Sequence, residues 1–352
     1  MRFLILFCLI FTTGLFSYAQ HVDQTTDSHD ISPLFKYDKD LKMTLNYSKK
    51  DILTFSNDST YVESSLSYTT VDTSQKKLKV GLRSRGNYRR LYCYYLPLWL
   101  KIDKNESKGS IFEEDKKLKV VLPCLKSSQA NDHVVKEFIA YKIYEIMSPY
   151  HFDTKLIYIT LAEQRDGKNK DHDLLGILIQ DTKKLAKAYH GNIIKRHIDP
   201  NSQDPASAVR NAIFQYMIGN TDYSIAYRHN EKLFYIGDKI VPIPYDFDMS
   251  GLVNASYAVV SAIKNKPLPI SKVTTRMYRG FDRDEAILQE IRKEYIAKEN
   301  DVYSLVDNYQ TFFKDPKEFK ELRNYLEGFY KVIKDDKKFQ NNIIKKTRSK
   351  LD

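Results

Sequence analysis

The sequence predicts an α+β chain in two lobes: an N-terminal antiparallel sheet with one long helix, then a mainly helical C-terminal lobe. Three observations lead there. Between residue 41 and about residue 121, short runs of β-type composition alternate with Asp, Asn, Ser and Lys clusters. From Asn131 or Asp132, apolar residues recur at helical spacing through Met147 and stop at Ser148-Pro149. From about Asp282 onward the pattern is mostly helical.

Each element has its own signal. Residues 1–19 carry one charge, Arg2, then an apolar run and Ser17-Tyr18-Ala19, the layout of a cleavable secretory signal. The run is shorter than the roughly 20 apolar residues of a spanning helix, and Thr12, Thr13 and Gly14 interrupt it. This reading exports the chain to the periplasm or the cell exterior and leaves no transmembrane segment in the mature protein. Residues 20–35 are polar and unpatterned and read as a disordered leader. An N-terminal β-rich lobe is expected over 36–180, with strands at 43–47, 60–68, 78–82, 96–102 and 118–122. An amphipathic helix over 132–147 follows, packed on the sheet, and then strands at 155–161 and 174–180 joined by a charged loop. The C-terminal lobe, 181–352, opens with a short helix, then a helix from Pro205 to Gly219, then a β-hairpin turning at Gly237-Asp238.

Without the signal segment two cysteines remain, Cys93 and Cys124, and an even number in an exported chain predicts one disulfide. The formal charge is +11, but the basic residues lie in mixed runs such as 334–338, which read as solvated helix faces rather than a nucleic-acid surface. No Cys-x-x-Cys, His-Glu-x-x-His, Gly-x-Ser-x-Gly or Gly-rich phosphate loop occurs, which removes the main support for zinc hydrolases, serine hydrolases and Walker-type ATPases.

The chemistry concentrates in Gly219 to Asn230 and Pro242 to Gly251. Asp222 lies in a loop after a helix, Asn230 eight residues later, and Asp246-Phe247-Asp248 at the end of an apolar strand. Phosphoryl-transfer sites use such a set: a loop Asp orients the acceptor hydroxyl or takes its proton, and an Asn and an Asp hold the metal on the phosphates. The order of elements is that of an atypical protein-kinase-like two-lobed fold. Each residue also has a plain reading. Asp222 suits a turn. Asp246 and Asp248, two apart, repel on a continuing strand unless a cation or an Arg lies between them. Arg89 and Arg90 suit phosphate or acidic partners equally, and His229, with no second His at ligand spacing, reads as a hydrogen-bonding loop residue.

Beyond these residues the chain resembles the spore-coat protein H (CotH) kinase-like family, most closely its secreted members from Bacteroidetes-type bacteria, over roughly residues 80–280. The resemblance rests on Arg85-Gly86-Asn87 with Arg89-Arg90, on 119–124, on Lys136-Glu137 and the helix through Lys142, on 176–181, and above all on 219–251. It implies an ATP-dependent kinase using Mg²⁺ or Mn²⁺, with Asp222 catalytic, Asn230, Asp246 and Asp248 on the metal, Arg85 near the phosphates, and Glu137 paired with a phosphate-binding Lys. The family's Lys pair after Arg-Gly-Asn is missing here, which leaves Lys101 or Lys119 to supply that charge. The acceptor is a protein, glycan or small-molecule hydroxyl. Two other readings stand beside this one: an Asp-x-Asp metal-dependent glycosyltransferase, and a non-catalytic kinase-like surface protein.

Overall fold

Strict alternation decides the N-terminal half. Leu78, Val80 and Leu82, then Leu98, Leu100 and Ile102, then Ile157, Ile159 and Leu161 are buried while their neighbours along each strand face outward. The computed structural model describes residues 30–70, 75–86, 88–165, 168–263 and 266–349. The signal segment, residues 20–29 of the expected leader, and Asn87 lie outside them.

In chain order the elements are α1 (Pro33–Lys36), β1 (Lys42–Tyr47), α2 (Lys49–Phe55), β2 (Val62–Thr69), β3 (Gln75–Ser84), α3 (Tyr88–Tyr92), β4 (Leu98–Ile102) and β5 (Lys117–Val121). There follow α4 (Ala130–Met147), β6 (Thr154–Arg165), β7 (Lys168–Gln180), α5 (Thr182–Ala188), β8 (Asn192–Ile194), α6 (Pro205–Ile218), β9 (Glu231–Ile236) and β10 (Lys239–Pro244). The chain then runs through α7 (Glu285–Ala297), α8 (Glu299–Asn308), α9 (Pro316–Ile333) and α10 (Asp336–Asn342).

The expected two-lobed kinase-like fold with an open N-terminal sheet is not what forms. Seven strands close into a mixed barrel in the order β1-β2-β3-β4-β5-β7-β6. Every pairing is antiparallel except the closing one, where β1 runs parallel to β6 from Lys42 opposite Tyr158 to Tyr47 opposite Glu163. Closure removes both sheet edges, and the inward residues fill the barrel instead of presenting one face to a helix. The last part of the expected leader belongs to this core. Leu34 in α1 is fully buried, and the Ser32 hydroxyl donates to Asp115.

Two further expectations change. The charged stretch between the sixth and seventh strands is not a loop but a continuation of both, paired out to Arg165 opposite Lys168. His172 and Glu163 make the extension tolerable, since they are buried as a pair with Nε2 and Oε2 3.0 Å apart. Nor does α4 carry a single apolar stripe. It is buried on nearly all sides, with β6 and β7 against it on one side and α6 and α8 on the other. It is the central post between the barrel and the helices. Among the described residues no helix is long and apolar enough to cross a membrane.

Cys93 and Cys124 form a disulfide with Cα atoms 4.4 Å apart, joining the residue after α3 to the segment after β5. The bridge spans a sequence separation of 31, and closing a loop of that size in the unfolded chain contributes about 3 to 4 kcal/mol. Replacing both cysteines by Ser is expected to lower the unfolding free energy in urea by that amount. Equal midpoints for the two proteins would remove the bridge from the list of stabilising contacts.

Candidate functional site

The site is assembled at the end of α6. Asp204 caps the N-terminus of that helix by accepting from Ser207 N–H, Pro205 opens it, and Gly219 ends it at φ 62°. A side chain is disfavoured at 219, where φ is positive and a Cβ would lie 1.9 Å from the Tyr325 hydroxyl, which would have to move. The chain then turns on Asn220, whose Oδ1 accepts from Asp222 N–H at 2.9 Å. Gly251 and Leu252 donate backbone hydrogen bonds to Gly219 and Ile218, so the segment after β10 is clamped to the same helix end. Tyr245 N–H on Asn230 O ties in the third piece.

These ties bring Asp222, Asn230, Asp246 and Asp248 to one cleft of about 720 Å³, between the outer wall of the barrel and the helical half. Asn230 donates through Nδ2 to Asp222 O at 2.7 Å and to Oδ2 at 3.0 Å, which leaves its amide oxygen for a cation. His229 Nε2 lies 3.2 Å from Asp222 Oδ1, and the Ser261 hydroxyl donates to the same oxygen at 3.2 Å. Burial alone would raise the Asp222 pKa, but the hydrogen bonds from His229, Ser261 and Asn230 outweigh it and hold the carboxyl below its ordinary range. The same bond from Asp222 raises His229.

Glu137, on α4, is buried behind the cleft-lining Asp246 and Asp248. A carboxylate oxygen from each of Glu137, Asp246 and Asp248 lies within 4.8 Å of the others. Phe247, between the two aspartates, is fully buried against the rings of Tyr141 and Phe214, which fixes the turn. Asp246 takes a left-handed backbone, φ 65°, and its N–H donates to Tyr141 Oη at 2.8 Å. Asn230 also has positive φ, so two non-glycine residues lining this cleft hold an unfavourable conformation, a kind of strain that clusters at functional sites.

Arg89, from α3, sits among the carboxylates. Its Nε is 3.5 Å from Asp248 and its Nη1 3.8 Å from Asp246, both too long for good hydrogen bonds, while Nη2 donates to Leu122 O at 3.3 Å. Burial opposes its charge, but Asp248, Tyr257, Glu137 and Asp246 more than offset that and keep it ionised. Burial, with Asp248 close by, pushes Glu137 well up, and Asp248 is raised chiefly by burial. In place of the lysine expected from sequence, the charges that act on Glu137 are the repulsive Asp248 and Asp246 and the attractive Arg89 and Arg85.

Lys119 and Lys101 separate clearly. Lys101 is exposed on the outer barrel wall, 5.6 Å over the Tyr61 ring, and does not line the cleft. Lys119 is 3% exposed, with Nζ over the rings of Tyr245 at 4.5 Å and Phe152 at 4.7 Å and no hydrogen-bond partner among the described residues. Desolvation, then the nearby charges of Arg85 and Lys232, lower it from 10.5 to about 7. Arg85 and Lys232 line the same cleft. Lys232, Tyr245 and Trp99 carried no signal in the sequence, because an isolated lysine or aromatic residue on a strand reads as ordinary surface.

The donor set suits a hard divalent cation. All three carboxylates offer oxygen, Glu137 Oε1 has no hydrogen-bond partner among the described residues, and Arg89 balances their charge only loosely. No protein-family model matches the chain, and no curated protein matches it either.

Lys119 provides a stability test. Its folded pKa lies below the unfolded value, so the unfolded chain binds the extra proton between about 7 and 10.5, and stability rises with pH across that window. Below pH 7 the cost of the buried charge is fully present. Lys119→Met is expected to stabilise the protein by a few kcal/mol at pH 6, with the gain shrinking above pH 7 and gone beyond 10.5. A pH-independent difference in urea unfolding would contradict the assignment.

Proposed function

We propose that this chain is an exported phosphotransferase that moves the γ-phosphoryl group of a nucleoside triphosphate, ATP in the first instance, to a hydroxyl acceptor with Mg²⁺ or Mn²⁺. The observation that carries the reading is the meeting, at one cleft, of a three-carboxylate cluster, with Glu137 and Asp248 buried and Asp246 half-buried, and a buried amine that has no hydrogen-bond partner among the described residues. Oxygen ligands and an unpartnered cation are what a metal-bound polyphosphate needs from a protein. The resemblance to CotH kinases supports the reading through these site residues alone, not through the fold.

Each residue has a part in it. Asp246 and Asp248, with Glu137 behind them and the Asn230 amide oxygen beside them, would hold the cation. When bound, that ion would neutralise charge on the phosphates. Lys119 and Arg85 meet the phosphate oxygens from the barrel side and Lys232 from β9, and a phosphate beside Lys119 restores the proton that burial has made labile. Asp222, kept ionised by three hydrogen bonds, orients the acceptor hydroxyl and receives its proton directly or through His229. The disulfide suits the oxidising compartment that export requires.

A second reading, a binding scaffold without transfer activity, draws on Arg89. An arginine already lying between Asp246 and Asp248 meets the charge requirement of the pair without a metal.

Thermal unfolding with ATP and Mg²⁺ or Mn²⁺ separates the two, because ligand at 100 times its Kd stabilises by about 2.7 kcal/mol. The phosphotransferase reading expects stabilisation that needs both components and disappears in Asp246→Ala. Asp222→Ala should still bind ATP with metal while losing at least 100-fold in phosphoryl transfer, on the scale of about 10²–10⁴ for a general base. No stabilisation of the wild-type protein by either metal–nucleotide pair would leave the scaffold.

A further inference from the structure

A second cavity, about 400 Å³, opens on the other side of Asp222 and shares Asp222, His229, Ser261 and Ala262 with the larger cleft as a common wall. Its size is within the range of small-molecule sites, roughly 300–1,000 Å³. Its own lining is rich in hydroxyls. Thr221, Ser224 and Tyr227 are hydroxyl-bearing residues of this lining, and Tyr223 lines it too with its own Oη buried away from the opening.

Two more features define what fits. Tyr227 is 46% exposed in this wall, and its ring stands edge-on to His197 with centroids 6.4 Å apart, which holds it as a fixed aromatic platform. Arg279, a cation of the same wall, is 3% exposed and spends Nη1 on Thr221 O at 2.6 Å and Tyr223 O at 2.7 Å. Its charge is bound into the loop, so the cavity offers hydroxyls and an aromatic face rather than an anion site.

Resting on the phosphotransferase reading, we propose that this cavity is the acceptor site and that it takes a neutral, polyhydroxylated small molecule of sugar type. Hydroxyl-lined walls with one aromatic face match the alternating polar edges and apolar faces of such molecules. A hydroxyl bound there lies against Asp222 and His229, with the proposed nucleotide cleft on their other side.

The test uses the full chain in two separate measurements. Saturation-transfer NMR with D-glucose, with myo-inositol and with a serine-containing peptide reports acceptor binding, and calorimetry with ATP and Mg²⁺ reports nucleotide binding. Polyol signals are expected in the wild type, at least tenfold weaker in Tyr227→Ala and retained in Tyr227→Phe, with ATP affinity within twofold throughout because Tyr227 lines only the smaller cavity. Polyol signals equal in Tyr227→Ala, or signals from the peptide alone, overturn the assignment, and ATP binding then still stands for the transfer reading. Polyol binding that depends on Tyr227 without any ATP binding keeps the sugar site and removes the transferase role attached to it.

Discussion

Three acidic side chains cannot share one buried corner without a counter-charge, and much of the structure around the cleft serves that requirement. Glu137, Asp246 and Asp248 come from the central helix and from the turn after β10, and Arg89 is the cation placed among them. Leaving such a cluster unbalanced costs several kcal/mol per ion. The balance is also loose, at 3.5 and 3.8 Å, and Glu137 meets it partly by favouring its protonated form. The barrel, the post helix and the helical half meet at this point. The disulfide and the Leu122 carbonyl hold α3, and with it Arg89, against the end of β5. A stronger divalent cation would find oxygen donors already gathered and an arginine bonded weakly enough to yield.

Local structure was largely legible in the sequence, and long-range closure was not. Alternation at 78–82 and 98–102 marked β3 and β4, Pro205 and Gly219 marked the two ends of α6, and Gly237 marked the hairpin. Nothing local marks the contact of β1 with β6, since it joins residues more than a hundred positions apart, and an open sheet has the same alternating pattern as a closed one. The charged residues 163–173 argued for a loop because a buried Glu163 reads as exposed until its partner His172 is placed diagonally across the ladder from it. The all-round burial of α4 was hidden too, since Lys136 and Glu137 look solvent-facing by type yet are 1% exposed.

The site was legible in its residues more than in its contacts. Asp222, Asn230, Asp246 and Asp248 were visible as a set because their types and order are uncommon together, and they share one cleft. Their pairing followed geometry that the sequence does not carry. Asn230 turned its amide to Asp222, Glu137 feels Asp248 and Arg89 rather than a lysine, and register put Lys101 and Lys119 on the same outer face of the barrel, where Phe152 and Tyr245 cover only Lys119. The sequence left open whether a metal or an arginine separates Asp246 from Asp248; the structure has the arginine, at 3.8 and 3.5 Å.

The account therefore turns on whether Arg89 is the permanent partner of these carboxylates or yields its place to a divalent ion. Diffraction at the manganese absorption edge, on crystals soaked with MnCl₂ and a non-hydrolysable ATP analogue, decides it most directly. The account predicts an anomalous peak bound by oxygens of Asp246 and Asp248, with the Arg89 guanidinium shifted from between them and the analogue's phosphates toward Lys119. Arg89 unmoved, with no manganese at the cluster while the soaked ion is present elsewhere in the crystal, would contradict it.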